Sequence, residues 1–148
     1  MKRPAFFDTN IFLYADDASA PTKQAFAVRL ITQYQRAGLA VVSLQVMQEY
    51  FAAATRKLGV DPAIAQRKVE LMGRMRVVRF QEADIVSAIE LHRLHKVSFW
   101  DSMIIHAAKL SEAEFLFSED MHPGSVWGGT RVVNPFADPP VAPSPSNV

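Results

Sequence analysis

Four carboxylates in this chain stand where chemistry could use them: Asp8, Glu49, Asp101 and Asp120. Asp8 follows the apolar triplet Ala5-Phe6-Phe7 and precedes Thr9-Asn10. Asp120 follows Phe115-Leu116-Phe117 and the pair Ser118-Glu119. Acids just past buried strands lie at the sheet edge where open α/β folds bind ligands. Each also has a plainer reading, because Asp, Ser, Thr and Asn suit turns and helix starts. Asp101, in Ser98-Phe99-Trp100-Asp101, fits a capping box with Ser98 as cap and complements the helix dipole. The same first-turn position also aims it toward the sheet edge. Glu49 shares a helix face with Gln45 and Arg56, either a solvated face or the wall of a cleft.

The grouping carries more than any member. Carboxylates brought together repel, and burying them unpaired is costly. A divalent cation removes that penalty, and Mg²⁺ is typically held by a few carboxylates with several waters retained. Such an ion polarises a phosphate and activates water, which is phosphodiester hydrolysis without a side-chain nucleophile. The chain has no cysteine, which excludes a disulfide framework, a zinc thiolate site and a thiol nucleophile. His92, His95, His106 and His122 show no metal-binding spacing and read as structural or surface residues. Any metal must therefore be held by oxygen or histidine, and oxygen ligands favour Mg²⁺ or Mn²⁺.

These acids need a frame. Short apolar runs predict strands at Ala5-Phe6-Phe7, Leu39 to Ser43, Val77 to Phe80, Phe115-Leu116-Phe117 and Arg131-Val132-Val133. Helical patterns lie between them. Phe26, Leu30 and Tyr34 follow Pro21 and stop at Gly38. Leu44, Met47, Phe51, Ala54 and Leu58 form a stripe ended by Gly59. Further helices run from Asp61-Pro62 to about Met75, from Glu82 through Ile85, Ile89 and His92, and from Ser98 through Trp100, Ile104, Ala107 and Ala108. This alternation predicts a three-layer α/β fold. Trp100 and Phe99 read as packing residues, and Phe12 and Tyr14 as part of an apolar stretch open to a partner.

The chain of 148 residues fits one domain, residues 1–136, with a Pro-rich tail at 137–148 expected to be flexible. No apolar run approaches a membrane span and no signal-peptide core precedes Asp8, so a cytoplasmic protein is expected. The net charge of +1 says little about partners. Arg56, Lys57, Arg67, Lys68, Arg74 and Arg76 are candidates for a basic rim that holds the phosphates of a nucleic acid, and Lys96 is another. The alternative for each is a solvated helix face.

Taken together, FFDTNIFLY, the Glu in LQVMQEYFAA, the Asp in FWDSMIIHAA and the Asp in FLFSEDMHPG resemble the four acidic motifs of PIN-domain nucleases, in the family's order and over residues 4 to 136. With no attached domain, the chain looks like a VapC-type toxin. The resemblance implies an α/β/α sandwich on a parallel sheet of about five strands, order 3-2-1-4-5. It implies an endoribonuclease using Mg²⁺ or Mn²⁺, a VapB-like antitoxin as partner, and a homodimer. Asp8 and Asp101 would be the main ligands, Asp120 would support the same ion, and Glu49 would ligate it or position water. Ser118 matches a Ser or Thr common near the fourth acid, and Thr9 and Asn10 match small polar residues that steady the first. Glu119 adjoins Asp120, and only one of them can point inward along an extended segment.

Other functions stay in view. A haloacid-dehalogenase-type phosphatase also starts with a strand and an Asp, but its second Asp would fall at Asn10. A PIN-like scaffold without catalysis is a second alternative, and a PIN nuclease of RNA maturation or DNA processing a third.

Overall fold

A computed structural model describes residues 2–137. The chain runs β1 (Ala5–Phe7), α1 (Thr9–Ala15), α2 (Pro21–Arg36), β2 (Ala40–Ser43), α3 (Leu44–Lys57), α4 (Pro62–Met72), β3 (Arg76–Val78), α5 (Glu82–His95), α6 (Phe99–Leu110), β4 (Phe115–Phe117), β5 (Val126–Trp127) and β6 (Thr130–Val133). The sheet order is β3-β2-β1-β4-β6-β5. Every pairing is parallel except β5 with β6. The expected order holds for the five strands read from the sequence. A sixth, the two-residue β5, adds an antiparallel edge that is too short to leave an alternating pattern.

Successive strand residues face opposite sides, yet Ala5, Phe6 and Phe7 are all buried, so both faces of β1 are covered. Helices flank the sheet, with α1 packed on α2 and α3, α3 on α4, and α5 on α6. An aromatic knot under β1 and β4 joins Phe7, Tyr34 and Phe117, with ring centroids 5.2 to 5.7 Å apart. Emptying one such position costs about 3–5 kcal/mol.

Local chemistry sets the helix ends. Pro21 opens α2, and Gly38 takes a φ of +71° two residues past its end, where a side chain would be strained. Ser43 caps α3, Asp61 caps α4 and Ser98 caps α6 through their side-chain oxygens. The structure corrects several expectations. The segment after Asp8 is not a plain apolar stretch but a seven-residue helix, α1, in which Phe12 is buried and Tyr14 half-buried. On α3 the buried stripe is Val46-Tyr50-Ala54, while Leu44 and Phe51 are exposed. The helix is turned so that its core stripe lies beside the Gln45-Glu49 face rather than opposite it. On α5 it is Ala88 and Leu91 that bury, leaving Ile85 and Ile89 exposed. Trp100 is 61% exposed, because it sits in the first turn of α6 before that helix meets the core. The expected tail, beyond Ala137, lies outside the described residues.

Candidate active site

β1 is paired with β2 on one side and β4 on the other, so the chain order reverses there. Because Phe7 is in register with Phe117, the next residues, Asp8 and Ser118, emerge as neighbours. Ser118 is fully buried and its hydroxyl donates to Asp8 Oδ2 at 2.8 Å. Asp8 Oδ1 accepts the Thr9 backbone N–H at 2.7 Å, so Asp8 is also the N-cap of α1. Here the capping role and the sheet-edge position coincide in one residue.

The next two residues splay the network outward. The Thr9 hydroxyl donates to Glu49 Oε1 at 2.7 Å, joining α1 to α3. The Asn10 amide donates to Asp120 Oδ2 at 3.0 Å, with longer approaches to Ser118 Oγ at 3.4 Å and Asp8 Oδ2 at 3.5 Å. Asn10 Oδ1 accepts the Glu119 backbone N–H at 3.2 Å, which holds the segment after β4 against α1. Asp101 sits in the first turn of α6, where its backbone N–H donates to the Ser98 hydroxyl at 3.1 Å.

Asp8, Glu49, Asp101 and Asp120 all line one cleft of about 370 Å³ with Thr9, Asn10 and Gln45. Its other walls include Ala52, Ala53, Arg56 and Lys57 from α3. A second hollow of about 210 Å³ shares Asn10, Leu13, Ala53, Lys57 and Asp120 with it. Burial is the main reason that Asp8 is pushed up from 3.8 to about 6, against the hydrogen bonds from Ser118 and Thr9. The charges of Glu49 and Asp101 add to the rise. Asp101 is raised as well, again first by burial, then by Asp120 and Glu49.

Adjacent Glu119 and Asp120 part ways. Glu119 accepts from the Tyr14 hydroxyl at 2.6 Å and pairs with Lys23 at 2.5 Å, away from the other acids. Asp120 faces Asn10 and the cleft. The expected basic rim shrinks to Arg56 and Lys57. Arg67 pairs with Glu70, Lys68 with Asp16, and Arg76 donates to the Ser111 carbonyl. Arg74 and Lys96 line neither hollow. His106 pairs with Asp84, His92 contacts the Val97 carbonyl, His95 packs on Trp127, and His122 is exposed. None of these histidines lines the cleft.

Gln45 escaped the sequence reading as a linker. Its amide donates to Glu49 Oε2 and to the Trp100 carbonyl, each at 3.3 Å, tying α3 to the start of α6. Its spacing of four residues from Glu49 was the available signal. The Tyr14-Lys23-Glu119 cluster left no such signal, because its members are distant in sequence.

Among the described residues no group of three or more Asp, Glu or His side chains is placed so that it could hold a metal ion. Thr9, Asn10 and Ser118 intervene between the acids instead. The donor chemistry nevertheless fits a hard cation: the cleft offers four carboxylates and neither thiolate nor imidazole. Mg²⁺ binds through one or two carboxylates with several waters retained, so it needs no closed protein cage.

The family described as PIN domain matches residues 5–122 of this sequence. Nine chains of solved structures also match. One is VapC20 of Mycobacterium tuberculosis, described as a sarcin-ricin-loop-cleaving toxin. It is 21% identical with a TM-score of 0.65, covering 78% of this chain and 91% of that one. Another is a toxin–antitoxin complex from Klebsiella pneumoniae, 19% identical with a TM-score of 0.63, covering 89% and 98%. At such identities the likeness is one of fold. No curated protein matches the sequence.

Proposed function

This chain belongs to the PIN-domain family, and on that footing we propose that it is a divalent-metal-dependent endoribonuclease acting as the toxin of a VapBC-type toxin–antitoxin pair. One observation carries the chemistry. Carboxylates from four separate segments line a single cleft, and among the described residues no cationic side chain pairs with any of the four. Asp8 and Asp101 are both raised, first by burial, with the neighbouring carboxylates adding to the rise.

In this reading Asp8 and Asp101 are the main ligands of Mg²⁺ or Mn²⁺, with Asp120 and Glu49 completing the set directly or through water. The bound ion would neutralise the cleft, polarise the phosphate and lower the pKa of the attacking water. The chain's own residues supply the order. Ser118 and the Thr9 N–H fix both oxygens of Asp8. Thr9 and Gln45 hold Glu49 by one oxygen each, so its carboxylate has a set orientation toward an attacking water. Asn10 holds Asp120 against the first motif.

RNA as substrate is supported by the description of VapC20 as a toxin that cleaves the sarcin-ricin loop. An antitoxin partner of VapB type is supported by the Klebsiella pneumoniae complex. Homodimerisation is proposed on the family resemblance, and a cytoplasmic setting and a nuclease domain over residues 1–136 on the sequence pattern. No helix among the described residues is long and apolar enough to cross a membrane.

The test is cleavage of structured and single-stranded RNA, with DNA of the same sequence alongside, in Mg²⁺, Mn²⁺ and EDTA. RNA cleavage that needs the metal and is lost in Asp8→Asn and Asp101→Asn is expected. Metal-independent cleavage, or full activity in either variant, would refute the assignment.

A further inference from the structure

The cleft holds cations as well as acids, and they do not neutralise each other. One face of α3 runs Gln45, Glu49, Ala52 and Ala53, Arg56 and Lys57, and all of these line the cleft. At 1.5 Å per residue, Arg56 lies about 10 Å and Lys57 about 12 Å along the helix axis from Glu49. Among the described residues neither side chain makes an ion pair, although Arg67 and Lys68 nearby both do. Between the acids and these cations the face carries only the methyl groups of Ala52 and Ala53, which leaves the floor open. Lys57 and Asp120 also stand at the junction with the second hollow, whose remaining walls include Leu13, Tyr14 and Leu58 and the carboxylates of Asp17 and Glu119, the latter paired with Lys23.

We propose that Arg56 and Lys57 form a subsite for the phosphate next to the one that is cut, with the intervening unpaired nucleotide seated in the second hollow. Single-stranded RNA then lies along α3 from Glu49 toward its C-terminal end. Two observations support that path. A strand of negative charge approaching carboxylates needs compensation close by, and these are the cations lining the cleft that nothing else engages. The adjoining hollow is small, with Leu13, Ala53 and Leu58 on one part of its wall and acceptor carboxylates of Asp17 and Glu119 on another, which suits the apolar face and amino or hydroxyl donors of one unstacked base and its ribose rather than a base pair. The ordinary role of such residues is to complement a helix C-terminus, and both do sit in the last turn of α3. That role affects stability slightly and RNA binding not at all, so the two are separable.

The inference rests on the nuclease reading, and the experiment keeps their failures apart. The full chain carrying Asp101→Asn, to prevent cleavage, is titrated against a fluorescent single-stranded RNA oligonucleotide at several salt concentrations. Adding Arg56→Ala with Lys57→Ala is expected to weaken binding about tenfold at low salt. It should also flatten the log–log salt dependence by about 0.7, the share of one phosphate contact on a single strand. Arg56→Lys with Lys57→Arg should restore both. Arg36→Ala with Arg93→Ala removes the same charge at exposed positions outside the cleft and should change little. An equal loss in that control, or no loss in the alanine pair, overturns the subsite while leaving the nuclease reading standing. If the parent protein fails to bind RNA at all, the nuclease reading falls and the subsite with it.

Discussion

Replacing Asp8 by Asn should stabilise the metal-free protein, and only at a pH where Asp8 would be charged. The residue is 7% exposed, and its pKa is raised from 3.8 to about 6. The difference of about 2 pH units corresponds to at most about 3 kcal/mol, at 1.36 kcal/mol per unit. Below 3.8 the carboxyl is neutral in both folded and unfolded chains and costs nothing. As pH rises through 6 the folded state must ionise a group that burial disfavours, and stability is lost. Asn keeps the shape, can still accept the Thr9 N–H, and offers an amide to Ser118. For a chain of this size about 2–4 °C accompanies each kcal/mol, so the variant should melt above the parent at pH 8, by at most roughly 6–12 °C. The gap should close toward pH 4. Thermal unfolding in EDTA by circular dichroism reads both points. Addition of Mn²⁺ should raise the parent and not the variant, narrowing the gap from the other side. A variant that melts below the parent at pH 8, or a gap independent of pH, would refute the claim that Asp8 is held at an electrostatic cost.

Other expectations follow from the same contacts. Asn10→Ala removes the bridge to Asp120 and the hold on the Glu119 N–H, and should reduce RNA cleavage about 10–100-fold with little change in melting temperature. Glu119→Gln breaks a pair with Lys23 whose side chains are 40% and 23% exposed, so it should cost about 1 kcal/mol or less by denaturant titration. It should keep most of the activity, whereas Asp120→Asn should lose it; the reverse pattern would exchange the roles of the two neighbours. Phe7→Ala should cost about 3–5 kcal/mol in urea unfolding, because its ring packs on both Tyr34 and Phe117.

The sequence exposed the frame better than the orientation of its parts. Ala5-Phe6-Phe7 and Phe115-Leu116-Phe117 were legible because strands buried on both faces are unbroken apolar runs. Their terminal acids were legible for the same reason. What lay between was harder. α1 is one short helix of mostly apolar residues, with no alternation of faces to mark it. On α3, Leu44 and Phe51 mimic a core stripe, while the residues that bury, Val46, Tyr50 and Ala54, keep the same spacing one step round. Only coordinates show which stripe meets the sheet. Asp8 and Asp101 fitted capping and site roles equally from sequence, because both demand an oxygen at a helix start. In the structure Asp8 both caps α1 and lines the cleft. Glu119 and Asp120 could not be separated in advance, since the partners that divide them, Asn10, Tyr14 and Lys23, are some 100 residues away.

The account turns on whether the four acids hold one divalent ion between them. The direct measurement is anomalous scattering from a crystal of the metal-free protein soaked in Mn²⁺. A peak inside the cleft, within coordinating distance of Asp8 and Asp101, is the predicted result. A soaked crystal that shows Mn²⁺ at other carboxylates and none in the cleft would contradict it.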